Sequence, residues 1–221
     1  MKRLVLMGLL IAVVFTSVSS AEQLVTANPL GQGKWGILGA YLSDANASNV
    51  SGYTIGTIGG YVGYGLTDKL GLFFTGASAN MNGLPAGLSA AYTAIGLAVK
   101  YTLLEEGASS PVSVAVGVGY KSLNYTMSAA LGGNTTGSQI GAGVLVSKVI
   151  APFVPYAGLQ YRKSTQAGAD LSTQLDPTIG TVIAWSEQGG VYLEYTMQSI
   201  TPTGGAAYTS GQMAAGVGYA L

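Results

Sequence analysis

Residues 111–121 read PVSVAVGVGYK, and their strict alternation limits the chain more than any other feature. Val112, Val114, Val116, Val118 and Tyr120 fall on one side of an extended backbone, and Ser113, Ala115, Gly117, Gly119 and Lys121 on the other. A period of two over this length requires a strand with two different environments. The same pattern recurs further on. Ile140, Ala142, Val144 and Val146 oppose Gln139, Gly141, Gly143 and Ser147, while Val191, Leu193, Tyr195 and Met197 oppose Tyr192, Glu194, Thr196 and Gln198.

Only 8% of the 221 residues are charged, against about 25% in ordinary soluble proteins. Mean hydropathy is +0.41, yet beyond residue 21 Gly, Ser, Thr, Asn and Pro interrupt every long apolar stretch. High hydropathy without helical spans is what a transmembrane barrel produces, because lipid-facing residues alternate with lumen-facing ones. A helical membrane protein is the alternative architecture, with 88–104 its best helix; Gly and β-branched alternation elsewhere argue against it. The expected fold is therefore all-β: a closed antiparallel up-and-down barrel of ten strands, with eight as the alternative count. The strands are expected at 33–43, 52–66, 70–80, 89–103, 111–124, 137–150, 153–163, 176–186, 190–199 and 208–221. In the first, Leu38 and Leu42 compete with Trp35, Ile37 and Tyr41 for the apolar face. Short turns at 67–69, 104–110, 151–152 and 187–189 alternate with longer loops at 44–51, 81–88, 125–136, 164–175 and 200–207, as in barrels with tight periplasmic turns. This places Asp68, Lys69, Glu105, Glu106 and Glu187 in short turns, Asp44 and Asp170 in long loops, and Asp176 at a strand edge. Tyr64, Tyr101, Trp185 and Tyr219 are expected near the periplasmic rim and Tyr120 and Tyr161 towards the outer ends, as interfacial girdles.

The two ends of the chain set the compartment. Lys2 and Arg3 precede an apolar run over 4–15, followed by small residues around Ser19 and Ala21. This is the anatomy of a secretory signal peptide, and the run falls short of the roughly 20 residues a span needs. The expected organisation is a signal peptide at 1–21, a periplasmic tail at 22–32 and a barrel at 33–221. The chain ends in MAAGVGYAL, which alternates to its last residue with Tyr219 third from the end. It resembles the closing strand of bacterial outer-membrane β-barrel proteins, a family that usually ends in Phe where this chain has Leu221. The resemblance implies an outer-membrane location. It also implies a lipid bilayer as solvent, and insertion by the barrel-assembly machinery with Tyr219 and Leu221 as its signal.

Site chemistry is sparse. The chain has neither His nor Cys, which removes Ser-His-Asp catalysis, disulfides and thiolate metal sites. Outer-membrane proteases and lipid-modifying enzymes of this architecture use a catalytic His, so the expectation is a protein that is not an enzyme. Glu105 and Glu106 read as a solvated turn, Asp170 and Asp176 as a poor match to a Ca²⁺ loop, and GGYVGYG at 59–65 lacks the ending of a phosphate loop. No cofactor or metal is expected, and a formal net charge of zero gives nucleic acid no basic field. By parity, the lumen receives Lys100, Lys121, Arg162 and Glu194, the rings of Tyr61, Tyr92, Tyr156 and Tyr192, and many Gly and Ala. The expected function is a passive channel for small solutes through a narrow lumen. The alternative is a barrel plugged by its Tyr rings, acting structurally or through its surface loops.

Overall fold

The computed structural model describes residues 26–45 and 53–221; the expected signal peptide and part of the first loop lie outside them. Ten strands follow one another: β1 (Trp35–Ala45), β2 (Thr54–Gly65), β3 (Leu70–Asn82), β4 (Ala90–Leu104), β5 (Ser113–Met127), β6 (Thr135–Ser147), β7 (Phe153–Gln166), β8 (Ala169–Ala184), β9 (Gly189–Pro202) and β10 (Tyr208–Ala220). Each pairs antiparallel with its sequence neighbours, and β1 pairs with β10 to close the barrel. The count is ten, not eight. Closure continues to the last residue, since Leu221 N–H donates to Trp35 O at 2.8 Å and Trp35 N–H donates to Leu221 O at 3.1 Å. A closed sheet leaves no edge, and this satisfies backbone groups where no water is available.

The two faces sort as the alternation predicts. Ile58, Ile95, Val118, Tyr120 and Met213 lie exposed on the outer wall, while Ala115, Lys121, Gln139 and Tyr192 are buried within. In β1 the competition resolves towards Trp35, Ile37 and Tyr41 outside and Leu38 and Leu42 inside. A continuous apolar wall of this size has lipid as its solvent. Placing Arg at Val116, midway along the apolar stretch of β5, should therefore cost about 2–4 kcal/mol of folding free energy in lipid vesicles. Ala115→Ser, on the inner face, should cost far less. Equal costs at the two positions would reject this facing.

Two expectations are corrected. The loop expected at 164–175 is sheet: β7 and β8 meet in a two-residue turn, with φ of 47° at Ala167 and 81° at Gly168. Positive φ at both positions matches the twist of a hairpin. Extension of the sheet also carries β5 and β7 beyond the outward-facing Tyr120 and Tyr161, to Met127 and Gln166. Above the apolar belt the outer face turns polar over neighbouring strands, through Ser78, Thr93, Asn124, Ser122, Ser138, Thr165, Lys163, Thr173 and Thr201. Once both faces are polar the hydropathy alternation fades, so this extension of β8 does not show in the sequence. The tight-turn rule is also looser than expected, since the connection at 105–112 folds on itself through a Gly107–Ser110 bridge.

Candidate functional site: the barrel lumen

The end at which β1 begins and β10 finishes is the periplasmic end of such a barrel, and the lumen is filled in tiers from there. At its mouth, residues 26–30 turn into the barrel. Ala27 N–H donates to Ser147 Oγ at 3.1 Å, and Thr102 Oγ1 donates to Ala27 O at 3.0 Å. Lys100 Nζ donates to Thr26 O at 2.8 Å and Asn28 O at 2.9 Å, with the Phe73 ring 5.6 Å away. Of the expected tail at 22–32, residues 26–28 thus sit inside the mouth, and 22–25 lie outside the described residues. Beside it lies a vestibule of about 250 Å³, lined in part by Leu38, Tyr61, Val182, Tyr192 and Gln188.

Above the mouth is an aromatic tier. Tyr61 meets Phe73 edge-on with ring centroids 5.4 Å apart. Tyr156 and Tyr192 lie inside over the neighbouring strands, and Tyr156 Oη donates to Glu194 Oε2 at 2.9 Å. A Cβ added at Gly180 would lie 2.4 Å from the Tyr156 ring, and one at Gly216 would lie 2.3 Å from Tyr192. These glycines make room for rings from neighbouring strands.

The next tier is polar. The Arg162 guanidinium pairs with Asp176 through Nη2, and its Nε donates to Asp176 Oδ2 at 2.6 Å; both side chains are 0% exposed. Gln139 Nε2 donates to Ser164 Oγ at 3.0 Å, and Thr178 and Thr196 share a 2.8 Å hydroxyl contact. Asp44, wholly buried, stands in register with Gln212 and lies within the field of Arg162. The stem of Arg162 packs over Gly141 and that of Lys121 over Gly96. The outermost tier is apolar. Tyr92 and Tyr125, with centroids 6.0 Å apart, pack with Ile55, Leu123, Met127 and Leu131, the last on a 3-10 turn at Ala129–Leu131.

The lumen candidates are thus dispersed over the tiers. Lys100 lies at the mouth, Tyr61, Tyr156, Tyr192 and Glu194 in the aromatic tier or at its upper edge, Arg162 and Lys121 in the polar tier, and Tyr92 in the outer cap. Tyr219 and Leu221 lie on the outer wall of the seam, and the Tyr219 hydroxyl donates to Gln188 Oε1 at 2.6 Å. Two charges were misplaced: Asp44 and Asp176 belong to the strand wall and face inward. Parity carried the signal, since Asp176 alternates with Gln174 and Thr178, and Asp44 continues Leu38, Ala40 and Leu42. Among the described residues the buried charges are Asp44, Asp176 and Glu194 against Lys100, Lys121 and Arg162, which balance. Asp170 pairs instead with Lys163 on the outer hairpin, at 2.7 Å. Glu106 accepts from Val149 N–H at 2.7 Å and faces Lys148 at 3.7 Å, so it organises the turns at the periplasmic rim.

No protein-family model matches the chain, and no curated protein matches it. Among solved structures, the β domain of the Bordetella autotransporter BrkA is similar at 11% identity and a TM-score of 0.49, over 86% of this chain and all of that one (100%). The outer-membrane protease OmpT from Escherichia coli is similar at 11% identity and 0.47, over 85% and 96%. Neisserial surface protein A is similar at 17% identity and 0.45, over 85% and 97%. These likenesses are of architecture only. The closed sheet, the apolar outer wall and the polar interior are by themselves those of a transmembrane β-barrel.

Proposed function

We propose that this is a plugged barrel, structural and surface-presenting, which holds its lumen closed at rest and carries out no chemical step. The polar tier carries this reading. Arg162, Gln139, Gln198, Gln212, Asp44 and Asp176 are each at most 1% exposed, although they point into the interior of the barrel. Large side chains sit over the small ones lining the wall, so the glycines of the lining do not add up to a bore. The balanced lumen charges also give neither anions nor cations a favoured path. On the outside, the hydroxyl- and amide-rich collar supports a role at the cell surface, where such groups meet water and sugars.

A narrow, gated path for small solutes is the second reading. The vestibule favours it, because it opens a way from the periplasmic mouth as far as the aromatic tier. Planar-bilayer recording of the folded full-length mature protein separates the two. The closed reading expects a quiet membrane at moderate voltage. Steady, discrete conductance steps from the wild type would overturn it in favour of the gated path. Glu194 is held by Tyr156 and Thr196. If steps occur, Glu194→Gln is therefore expected to alter opening more than ion preference.

A further inference from the structure

We propose that residues 26–30 form a strap that closes the periplasmic mouth of the lumen, and that Lys100 is its latch. The segment crosses the mouth. At one end the Leu30 side chain lies against the β1 and β2 backbones, where a Cβ added at Gly36 or Gly63 would come within 2.8 or 3.0 Å of it. At the other end Ala27, wholly buried, sits between Thr102 of β4 and Ser147 of β6. Among the described residues, every hydrogen bond that seats 26–28 joins it to a wall side chain: those of Lys100, Thr102 and Ser147. None belongs to the barrel ladder, so the strap can leave without unpairing a strand.

Lys100 is the decisive group. It is 6% exposed, and among the described residues no carboxylate pairs with it. Its charge is met by two strap carbonyls and the Phe73 ring. A buried cation in this setting needs those acceptors, and the strap carbonyls need a donor once they are out of water. Each therefore holds the other. Once the strap leaves, the vestibule joins the lower lumen around Ala115 and Leu145, which Ala27 now covers. The strap is thus a movable closure for the periplasmic half, separate from the fixed polar tier above. A conducting wild type would end the closed-lumen reading and leave this one standing, because the strap is judged by a different measurement.

The chain has no cysteine, so single thiols report cleanly. Ala115→Cys places a thiol under the strap, and its reaction with a small water-soluble maleimide is followed in the full-length mature protein, folded in detergent. The thiol is expected to be protected, and adding Lys100→Met should speed labelling by about tenfold or more, the scale set by losing hydrogen bonds to a charged group. Retained heat-modifiable mobility on gels verifies that the barrel persists. Fast labelling without Lys100→Met, or slow labelling with it, overturns the proposal. If Lys100→Met fails to fold, the pair Ala27→Cys and Ser147→Cys in the otherwise native chain serves instead. Oxidation should link them, and absence of a link overturns the strap.

Discussion

Arg162→Met should destabilise the barrel by about 3–5 kcal/mol, the range for breaking a buried ion pair from one side. The size follows from the position of Asp176. That carboxylate is 0% exposed, accepts a hydrogen bond from Nε and forms an ion pair with Nη2 of the guanidinium. Removing Arg162 leaves a carboxylate in a dry layer and also takes a cation from the field of Asp44. Asp176→Leu should cost a similar amount, for the mirror-image reason. The double variant Arg162→Met with Asp176→Leu should recover most of the loss, because a pair of apolar residues in a packed interior is often neutral or better than the ion pair it replaces. Urea unfolding of the four proteins in vesicles gives the coupling directly. If Arg162→Met costs less than about 1 kcal/mol, the pair behaves as a solvated surface pair, and the polar tier is wet enough to conduct.

Asp176 lies in the strand wall and faces inward, although the sequence pattern points to a loop edge. Strand parity is legible wherever one face is apolar. It gives the facing of Val116 to Tyr120, puts Glu194 inside, and places Arg162, Lys121 and Lys100 in the lumen from alternation alone. It failed above the lipid belt, where both faces carry Ser, Thr, Gln and Asn. There the outward hydroxyls of β7 and β8 look like a loop, and Asp176 looks like its edge. Depth was not legible either. Parity says that a side chain points inward, but the register decides which inward side chains share a tier. Lys100 and Glu194 therefore read as points along one path, although Lys100 holds the strap and Glu194 meets Tyr156. Nor does composition tell an empty lumen from a filled one. Gly141 and Gly96 suggest space until Arg162 and Lys121 are seen lying across them.

Deleting the last three residues should abolish the inserted barrel, and either of two causes would produce that loss. Residues 219–221 close the seam at the periplasmic rim. Ala220 pairs with Gly36 and donates to Gln188 O at 2.7 Å, Tyr219 stands between Ile37 and Gly189, and Leu221 exchanges both backbone bonds with Trp35. Without them β1 and β9 each lose their partner near the rim, and unpaired backbone groups in lipid cost several kcal/mol each. The expected result in cells is exported protein that is degraded in the periplasm and lacks heat-modifiable mobility. The same loss would follow if Tyr219 and Leu221 were read as an insertion signal by the assembly machinery, so side-chain variants decide. Tyr219→Ala with Leu221→Ala keeps every backbone bond of the seam while removing the aromatic and apolar groups on the outer wall. If insertion in cells fails while refolding of the purified protein into vesicles proceeds, the side chains act as a signal beyond their packing. If both succeed, the seam alone explains the deletion. Leu221→Phe then supplies the sharper control: a signal role expects faster insertion in cells with no change in unfolding midpoint, because the residue points into lipid and touches little else of the barrel.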